Sequence, residues 1–511
     1  MIKNELENKK IYRVTDIRIR KNDSLFLYCD RITGLANNLM NAVRFRQRQV
    51  FTALNKDLST WTGNERGIMD EIRAALPHMK KQRKMPGDGY KTMGYAFLDD
   101  LMRVSGNPDY FASGLPRQTA QQAIKHCVAE WKAGLEAIKA YRKTPGAFTG
   151  KPELAGYRKK GGHTTAIITN QDGVFKLLNG RYYLKLPLTD IRLEVGRKLP
   201  KGHLMEVRIV PDNGTYRISL VMEVGQKTDE PEKTPSRIAA IDFGVDNLMA
   251  VTNNCGLPCF LYRGGMAKAA NQEYNKAIAM IMSGQTIGST KKFVPTDKYY
   301  AVTLRRNDRI KDFMHKTAKR FITWCVENRI DTVVCGVNRG WKQEISIGHV
   351  VNQKFVQIPH CLLRGILHYL CDEHHIGYVE QEESYTSKAS FRDGDPIPVY
   401  KKGDISQHNF SGRRRPTVYK GMHKDSGFRG LYKDSFGIIN SDLNGSANIL
   451  RKAFPNAFTN GIAPLFDQVI IVKHPDRESR AALQAKQKAT VRSISKAKAA
   501  RHARKAVKAA A

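Results

Sequence analysis

A chain of 511 residues with 85 Lys and Arg against 48 Asp and Glu carries a formal net charge of +37 and a sequence pI near 9.9. A charge of that size calls for a polyanionic partner. Nucleic acid fits better than a membrane surface, because the basic residues are spread among Gly and aromatics and do not line one amphipathic helix. No run reaches the roughly 18 apolar residues of a membrane span, and the N-terminal MIKNELENKKIYRV lacks an apolar leader core, which predicts a cytoplasmic protein.

Residues 11–30 alternate apolar and polar positions, and residues 31–55 switch to helical spacing with Leu35, Leu39, Val43, Val50 and Leu54 on one face, so a strand pair is expected to lead into a helix. Arg44, Arg46 and Arg48 fall on the other positions of that helix, where a solvated face and a phosphate-contacting face are both open. Pro116 then starts a second amphipathic helix, with Ile124, Val128, Trp131, Leu135 and Ile138 at 4-3-4-3 spacing. That stripe reads as packing, not chemistry.

The segment GKPELAGYRKKGGHTT is rich in Lys, Arg, Gly and Tyr, a composition that suits tracking a phosphate backbone while an aromatic stacks on a base. Tyr157, Arg158, Lys159 and Lys160 are its nucleic-acid-binding candidates, with an ordinary basic loop as the even alternative. From Thr164 to Val224 the period becomes two, with strands expected in RYYLKL, DIRLEV, MEVRIV and TYRISLVMEV, joined with the N-terminal strands in a small barrel or sheet.

The linker GQKTDEPEKTPS closes that region, and a new domain is expected to start near Pro235. There RIAAIDFGVDNLMAVTNN reads as strand, Gly turn and second strand. A long helix follows over about Tyr299 to Asn328, and then two strand-like runs, DTVVCGV and IGYVEQEESY, flank the helix QIPHCLLRGILHYLCDEHH. Alternating β and α elements predict an α/β sheet domain. The eight cysteines are scattered, several inside apolar runs, and read as buried free thiols with no disulfide framework. Beyond GIINSDLNGSANILRKAF the chain turns Ala/Lys/Arg-rich, a basic arm or marginal helix.

Metal-assisted phosphodiester hydrolysis needs several carboxylates converging on a pair of divalent ions. The second half of the chain offers three settings: Asp242 at the end of an apolar strand, Glu382 and Glu383 at the end of another, and Asp442 at the start of a helix-like segment. An acid inside an apolar strand is costly unless paired or metal-bound, so Asp242 stands out, although strand-end acids also serve as caps and turn residues.

IAAIDFGVDNLMAV resembles the first RuvC motif of the transposon-encoded TnpB nucleases and the related compact type V CRISPR effectors, and INSDLNGSANILRKAF resembles their third. YTSKAS is similar to the segment that precedes the zinc-binding insertion in that family, and LPRQTAQQAI, GKPELAGYRKK and LRRNDRIKDFMHKTAKRF extend the likeness over most of the chain. The resemblance implies an α/β RNase H-like (RuvC) nuclease domain with a lid insertion, preceded by a β-barrel wedge domain holding a helical recognition insert. It divides the chain into wedge strands (1–30), helical recognition domain (31–160), wedge barrel (161–232), a first nuclease segment (233–387), lid insertion (388–436), a second nuclease segment (437–475) and basic tail (476–511). It also implies a guide RNA, a double-stranded DNA target, and a short motif beside the target read by the protein itself. Asp242 and Asp442 become metal-binding catalytic acids served by two Mg²⁺ ions, for which Mn²⁺ can substitute.

Two departures stand out. Where many members of the family carry a catalytic Glu in a strand, this chain has Gly336, which cannot coordinate a metal. Some members resemble this chain in placing a Glu just before the Tyr/Thr-Ser segment, which selects Glu383 as the third catalytic and metal-binding acid, with Glu382 as second choice and strand-end surface acids as the plain alternative. Strand alternation points Glu382 and Glu383 to opposite faces, so one of them reaches the metals. Second, the insertion between Ser390 and Gly437 has no cysteine, and His408 and His423 alone do not make a structural Zn²⁺ site, so none is expected. Its basic and aromatic composition, with Arg413, Arg414 and Arg415 as nucleic-acid-binding candidates, reads as a zinc-free lid that tracks the DNA strand.

The function expected is RNA-guided DNA endonuclease activity. The rivals are a guide-dependent DNA-binding protein whose nuclease site has decayed, and an RNA-independent transposase or resolvase on the same fold.

Overall fold

In the computed structural model the described residues are 10–476, apart from 88–92, 111–112, 227–233, 289–291, 339–357, 401–407, 415–417, 421–422 and 426–429. Arg415, most of the expected linker and the expected basic tail beyond Asp476 therefore lie outside them. The chain divides into two compact units between Lys227 and Thr228, inside the linker and a few residues before the expected boundary.

The first unit starts with strand β1 (Lys10–Ile19) and helix α1 (Phe26–Ala53). The expected strand pair is one strand, and the helix begins before residue 31. Asp23 accepts a hydrogen bond from the Arg20 backbone N–H to close a turn, and Leu25, Cys29, Ile32, Ala36 and Leu39 then bury one face at helical spacing. Helices α2 (Gly63–Ala75), α3 (Tyr95–Val104) and α4 (Arg117–Lys143) follow. A reciprocal Thr62–Glu65 capping box opens α2. Pro116 precedes α4 as expected, and Ile124, Cys127, Val128 and Trp131 are buried.

Six strands complete the unit: β2 (Ala166–Thr169), β3 (Val174–Leu178), β4 (Arg181–Lys185), β5 (Arg192–Gly196), β6 (His203–Asp212) and β7 (Thr215–Gln226). They pair in two sheets, β1-β7-β6-β2 and β3-β4-β5. Among the described residues the ladders do not close into the ring that a barrel requires, because no hydrogen-bonded ladder links the two sheets.

The second unit is built on a mixed sheet of β8 (Ile238–Phe243), β9 (Asn247–Asn253), β10 (Pro258–Arg263), β11 (Thr332–Val337), β12 (Gly377–Glu382) and β18 (Leu465–Val472), in the order β12-β11-β8-β9-β10-β18. β8, β9 and β10 form an antiparallel meander, and β11 and β12 lie parallel to β8. Helices α5 (Gly265–Thr286), α6 (Asp297–Glu327) and α7 (His360–Glu373) join them, and the hairpins of the insertion, β13 (Arg413–Arg414), β14 (Val418–Lys420), β15 (His423–Asp425), β16 (Leu431–Asp434) and β17 (Gly437–Asn440), lead into α8 (Ser441–Ala453).

Strand alternation sorts the apolar residues into two layers. Ala239, Ile241, Val333 and Cys335 pack with Phe313, Phe321, Leu363 and Leu367 of α6 and α7, whereas Ile238, Ala240 and Val334 pack with Ile449 and Leu450 of α8. The central strands are thus buried on both faces, as their unbroken apolar runs require.

Candidate active site

Counting along β8 from Ile238 and Ala240, Asp242 falls on the α8 face, and counting along β11 from Val334, so does Gly336. The β8–β11 ladder ends at Ile241–Cys335, so Asp242 and Gly336 stand side by side, one step further on, at the carboxyl ends of parallel strands. Sites in α/β sheets form at such ends. Gly244 makes the turn after β8 possible, since a Cβ there would lie 2.7 Å from the Asn247 carbonyl oxygen.

Helix α8 brings Asp442 to the same region. The Asn440 side chain caps it, accepting from the Asp442 and Leu443 backbone N–H groups at 3.0 and 3.2 Å, and Asp442 sits in the first turn, where the helix dipole favours an acid. The helix is pinned on the sheet by Ser446, whose hydroxyl donates to the Ala240 carbonyl at 2.9 Å. Gly445 lets it come so near that a Cβ there would be 2.5 Å from Asp242 Oδ2. Asn247 of β9 donates to Asp442 Oδ2 at 2.7 Å and accepts from Arg263 at 2.8 Å.

Glu383 follows β12 directly, and its carboxylate lies over Gly336: a Cβ on Gly336 would be 2.7 Å from Glu383 Oε2 and 2.6 Å from Ile449 Cδ1. Glu382 is engaged elsewhere. Its carboxylate accepts from the Ser384 backbone N–H at 2.6 Å, from the Ser384 hydroxyl at 2.8 Å and from Lys452 at 2.8 Å.

The electrostatics differ accordingly. Burial first, then the charges of Asp442 and Glu383, hold Asp242 well above the ordinary carboxylate range, with Arg414 pulling it down. Burial also pushes Glu383 up to about 7, Glu382 adding to the rise. For Glu382 burial works upward too, but the hydrogen bonds from Lys452 and Ser384 outweigh it and leave the group lowered. The structure therefore brings Glu383 and Asp442 each within electrostatic reach of Asp242 and turns Glu382 aside. Among the described residues no three His, Cys, Asp or Glu side chains are drawn together closely enough to form a finished metal-ligand group. Carboxylate oxygens are nonetheless hard donors that fit a divalent cation such as Mg²⁺ in chemical type.

The insertion delivers Arg414, whose guanidinium is 3.7 Å from Asp442 Oδ1. Polar contacts hold this stretch of the chain. Arg392 forms a two-point pair with Asp434 at 2.8 and 2.5 Å, and Ser411 donates to Asp393 and Asp395 at 2.8 and 2.7 Å. Hydrogen bonds from Ser435, Ser411 and Ser390 hold Asp393 down at about 2. Tyr432 is buried and donates to the Lys388 carbonyl at 2.7 Å. Arg413 is exposed beside it, and Arg415 lies outside the described residues.

In the first unit, the expected basic segment is strapped to α1: Asn41 exchanges hydrogen bonds with the Arg158 backbone at 2.8 and 3.1 Å, and Asn37 donates to the Lys159 carbonyl at 3.0 Å. Tyr157, Lys159 and Lys160 are exposed, whereas Arg158 pairs with Glu130 at 2.5 Å. Arg44 and Arg46 of α1 serve neither of the roles left open for them. Both are buried in ion pairs, with Glu130 and Glu71, each at 2.7 Å.

An α/β domain with a buried strand-end acid, Asp242, facing two further carboxylates, Glu383 from the end of β12 and Asp442 from the start of α8, is the class that this geometry defines. Residues 219–342 match the model of the OrfB_IS605 family, described as a probable transposase, and the match bears out the family resemblance read from the motifs. No curated protein matches the chain. Among solved structures, the chain is similar to a Cas12f1–sgRNA–target DNA complex at 10% identity and a TM-score of 0.30, covering 86% of this chain and 98% of that one. It is also similar to a CRISPR-Cas12f ternary complex, at 11% identity and a TM-score of 0.29 over 81% of both chains. A third likeness is to an AacC2c1–sgRNA binary complex, at 9% identity and a TM-score of 0.35 over 86% and 89%. Likeness at that level carries no inference about this chain.

Asn247, Arg263, Gly445 and Ser446 were not foreseen as supports of the site. Asn247, Gly445 and Ser446 lie inside the two motifs that bear Asp242 and Asp442, which is the one available signal for them, whereas Arg263 lies outside both and carries none.

Proposed function

We propose that this protein is an RNA-guided DNA endonuclease that hydrolyses phosphodiesters of a double-stranded target, with Asp242, Glu383 and Asp442 as its catalytic acids and a guide RNA as its partner. The observation that carries this reading is the Glu383 carboxylate standing over Gly336 next to Asp242, where a strand-borne glutamate would otherwise put its own. A decayed site has no reason to fill that place with an acid. The meander of three strands followed by two parallel strands supports the RNase H-like assignment, and the family match supports the link to mobile elements. Residues 388–436 act as a zinc-free lid, held by the Asp393, Asp395 and Arg392–Asp434 contacts.

Asp242, Glu383 and Asp442 would hold the Mg²⁺ ions, which when bound supply Lewis-acid stabilisation and an activated water. The chain's own residues do the positioning. Asn440 and Ser446 fix α8, Asn247 fixes the orientation of Asp442, and Arg414 offers a cation to a substrate phosphate at the edge of the site. A buried acid such as Asp242, raised further by two neighbouring carboxylates, is a poor arrangement for stability alone and a good one for binding a cation.

A second reading is an RNA-independent transposase, favoured by the description of the matching family. The test is cleavage of a matched duplex in Mg²⁺ by protein purified with its own RNA, comparing wild type with Asp242→Ala and Glu383→Ala. Guide-dependent cutting lost in both variants supports the proposal. Guided binding without cutting by wild type replaces it with a guide-dependent DNA-binding protein, and cutting or joining that survives ribonuclease treatment replaces it with the transposase.

A further inference from the structure

Helix α7 buries one face at helical spacing, and His360 stands on that stripe with Leu363, Leu367 and Cys371. The imidazole is 4% exposed and lies 6.3 Å from the ring of Phe243, in the layer that α6 and α7 form against the sheet. A polar ring in a core position costs more than a leucine unless it makes a hydrogen bond there. His360 makes one, its Nε2 lying 2.9 Å from the Gly244 carbonyl oxygen. A carbonyl can only accept, so Nε2 carries the proton and donates it.

The bond falls where the sheet itself gives little hold. The β8–β9 ladder runs as far as Phe243 and Met249, and beyond it the Gly244 N–H reaches the Leu248 carbonyl only at 3.4 Å, longer than a strong hydrogen bond. Residues 243–246 join two groups of the site: Asp242 precedes them, and Asn247, which donates to Asp442, follows. Their far end is held beside Asn247, where the Gly264 N–H donates to the Asp246 carbonyl at 2.9 Å and Lys268 pairs with the Asp246 carboxylate. His360 holds the near end, two residues from Asp242, from behind the sheet.

We propose that His360 is a positioning residue of the site: its hydrogen bond to Gly244 fixes the loop between Asp242 and Asn247, and so sets how the Asp242 carboxylate faces Asp442 and Glu383. The inference rests on the nuclease reading above. Asp242 points to the α8 face and His360 lies on the other, so the imidazole touches neither cation nor substrate and acts through the backbone. Glycine lacks the steric limits of other residues, and a Gly244 left ungripped would pass its freedom to an acid two residues away.

The experiment uses the full chain and two amide variants. The side-chain nitrogen of a glutamine can take the place of the histidine Nε2 and donate to the same carbonyl, whereas asparagine is one methylene shorter and falls short of it. Mn²⁺ is titrated calorimetrically into protein freed of nucleic acid, with Asp242→Ala as the blank for binding elsewhere, and guided cleavage is followed over an Mg²⁺ series in parallel. His360→Asn is expected to weaken the Asp242-dependent Mn²⁺ affinity about tenfold and to raise the Mg²⁺ midpoint of cleavage by the same factor, the lower end for residues that support metal ligands. His360→Gln is expected to stay within about threefold of wild type in both. Both variants lose the packing of the ring, so their melting temperatures should fall together, and the difference between them in metal affinity is what reports positioning. Should His360→Asn fail to fold, His360→Leu, which keeps the stripe apolar, supplies the comparison with His360→Gln. Equal metal affinity in the two amide variants, whether both weakened or both like wild type, overturns the proposal and leaves the nuclease reading standing. Mn²⁺ binding that is the same in wild type and Asp242→Ala overturns the nuclease reading itself, and the proposal with it.

Discussion

The carboxylate of Glu383 occupies the space that a side chain on Gly336 would enter, 2.7 Å from the point where its Cβ would begin. The two positions are alternatives: a carboxylate reaches the flank of Asp242 either from β11 itself or from the end of β12, and the bare glycine is what admits the second route. Gly336→Ala therefore tests the arrangement with one methyl group. It meets the tips of two flexible side chains, Glu383 and Ile449, so the fold should lose about 1–3 kcal/mol, as for other overpacked cores. Cleavage should fall much further if the displaced group is, as proposed, a catalytic acid. Adding Ile449→Val is expected to recover melting temperature but not cleavage, and recovery of both would show that Glu383 had never been displaced.

The neighbouring glutamates should separate cleanly. Glu382 is exposed and hydrogen-bonded to Ser384 and Lys452 on the flank, so Glu382→Gln costs at most about 1 kcal/mol of stability, the range of exposed ion pairs, and leaves guided cleavage within a few-fold of wild type. Glu383→Gln keeps the volume over Gly336, removes the charge and should abolish cutting while guided binding persists. Cutting that is lost with Glu382→Gln and retained with Glu383→Gln reverses the choice of acid.

What the sequence made legible follows from where the contacts lie. The stripe of α4, the apolar runs of β8 and β11 and the helix after Asn440 are local patterns, and they could be read because burial repeats at the period of the element. Helix α5 escaped: among its buried residues are only Ala267, Ala270 and Asn271, so it has almost no stripe to read. The start of α1 was misplaced because Phe26–Asp30 fits both alternation and helical spacing, and only the turn at Asp23 decides between them. Asp242, Glu383 and Asp442 could be singled out as acids in costly or strand-end contexts, but that Glu383 turns inward and Glu382 outward depends on Gly336, Ser384 and Lys452. Of these, Gly336 and Lys452 are distant along the chain.

Asn247 gives a test of orientation distinct from charge. It is buried, donates to one oxygen of Asp442 and is itself held by Arg263, so it fixes which way that carboxylate faces. Supporting residues of this type are worth about 10- to 100-fold in metal affinity or activity. Asn247→Ala is expected to raise the Mg²⁺ concentration needed for half-maximal cleavage by that order and to leave guide-dependent DNA binding unchanged. A uniform fall in rate at every Mg²⁺ concentration would mean that Asn247 matters only for folding.

The raised carboxyl groups also make stability depend on pH and metal in a definite direction. Glu383 titrates at about 7 in the folded chain against roughly 4.3 in an unfolded one, so between those values the folded state binds the extra proton. Stability from this group is fully present below about pH 4 and is lost as pH rises through about 7, a loss on the order of 3 kcal/mol, with Asp242 adding to it in the same direction. In chelator, the melting temperature of the unit that holds the site should therefore decline from pH 5 to pH 8, and Glu383→Gln should flatten that decline. Millimolar Mg²⁺ at pH 8 should restore wild type and do little for Glu383→Gln, since a cation that binds only the folded state stabilises in proportion to its occupancy. Equal Mg²⁺ stabilisation of both proteins would remove Glu383 from the metal site, whatever its effect on cleavage.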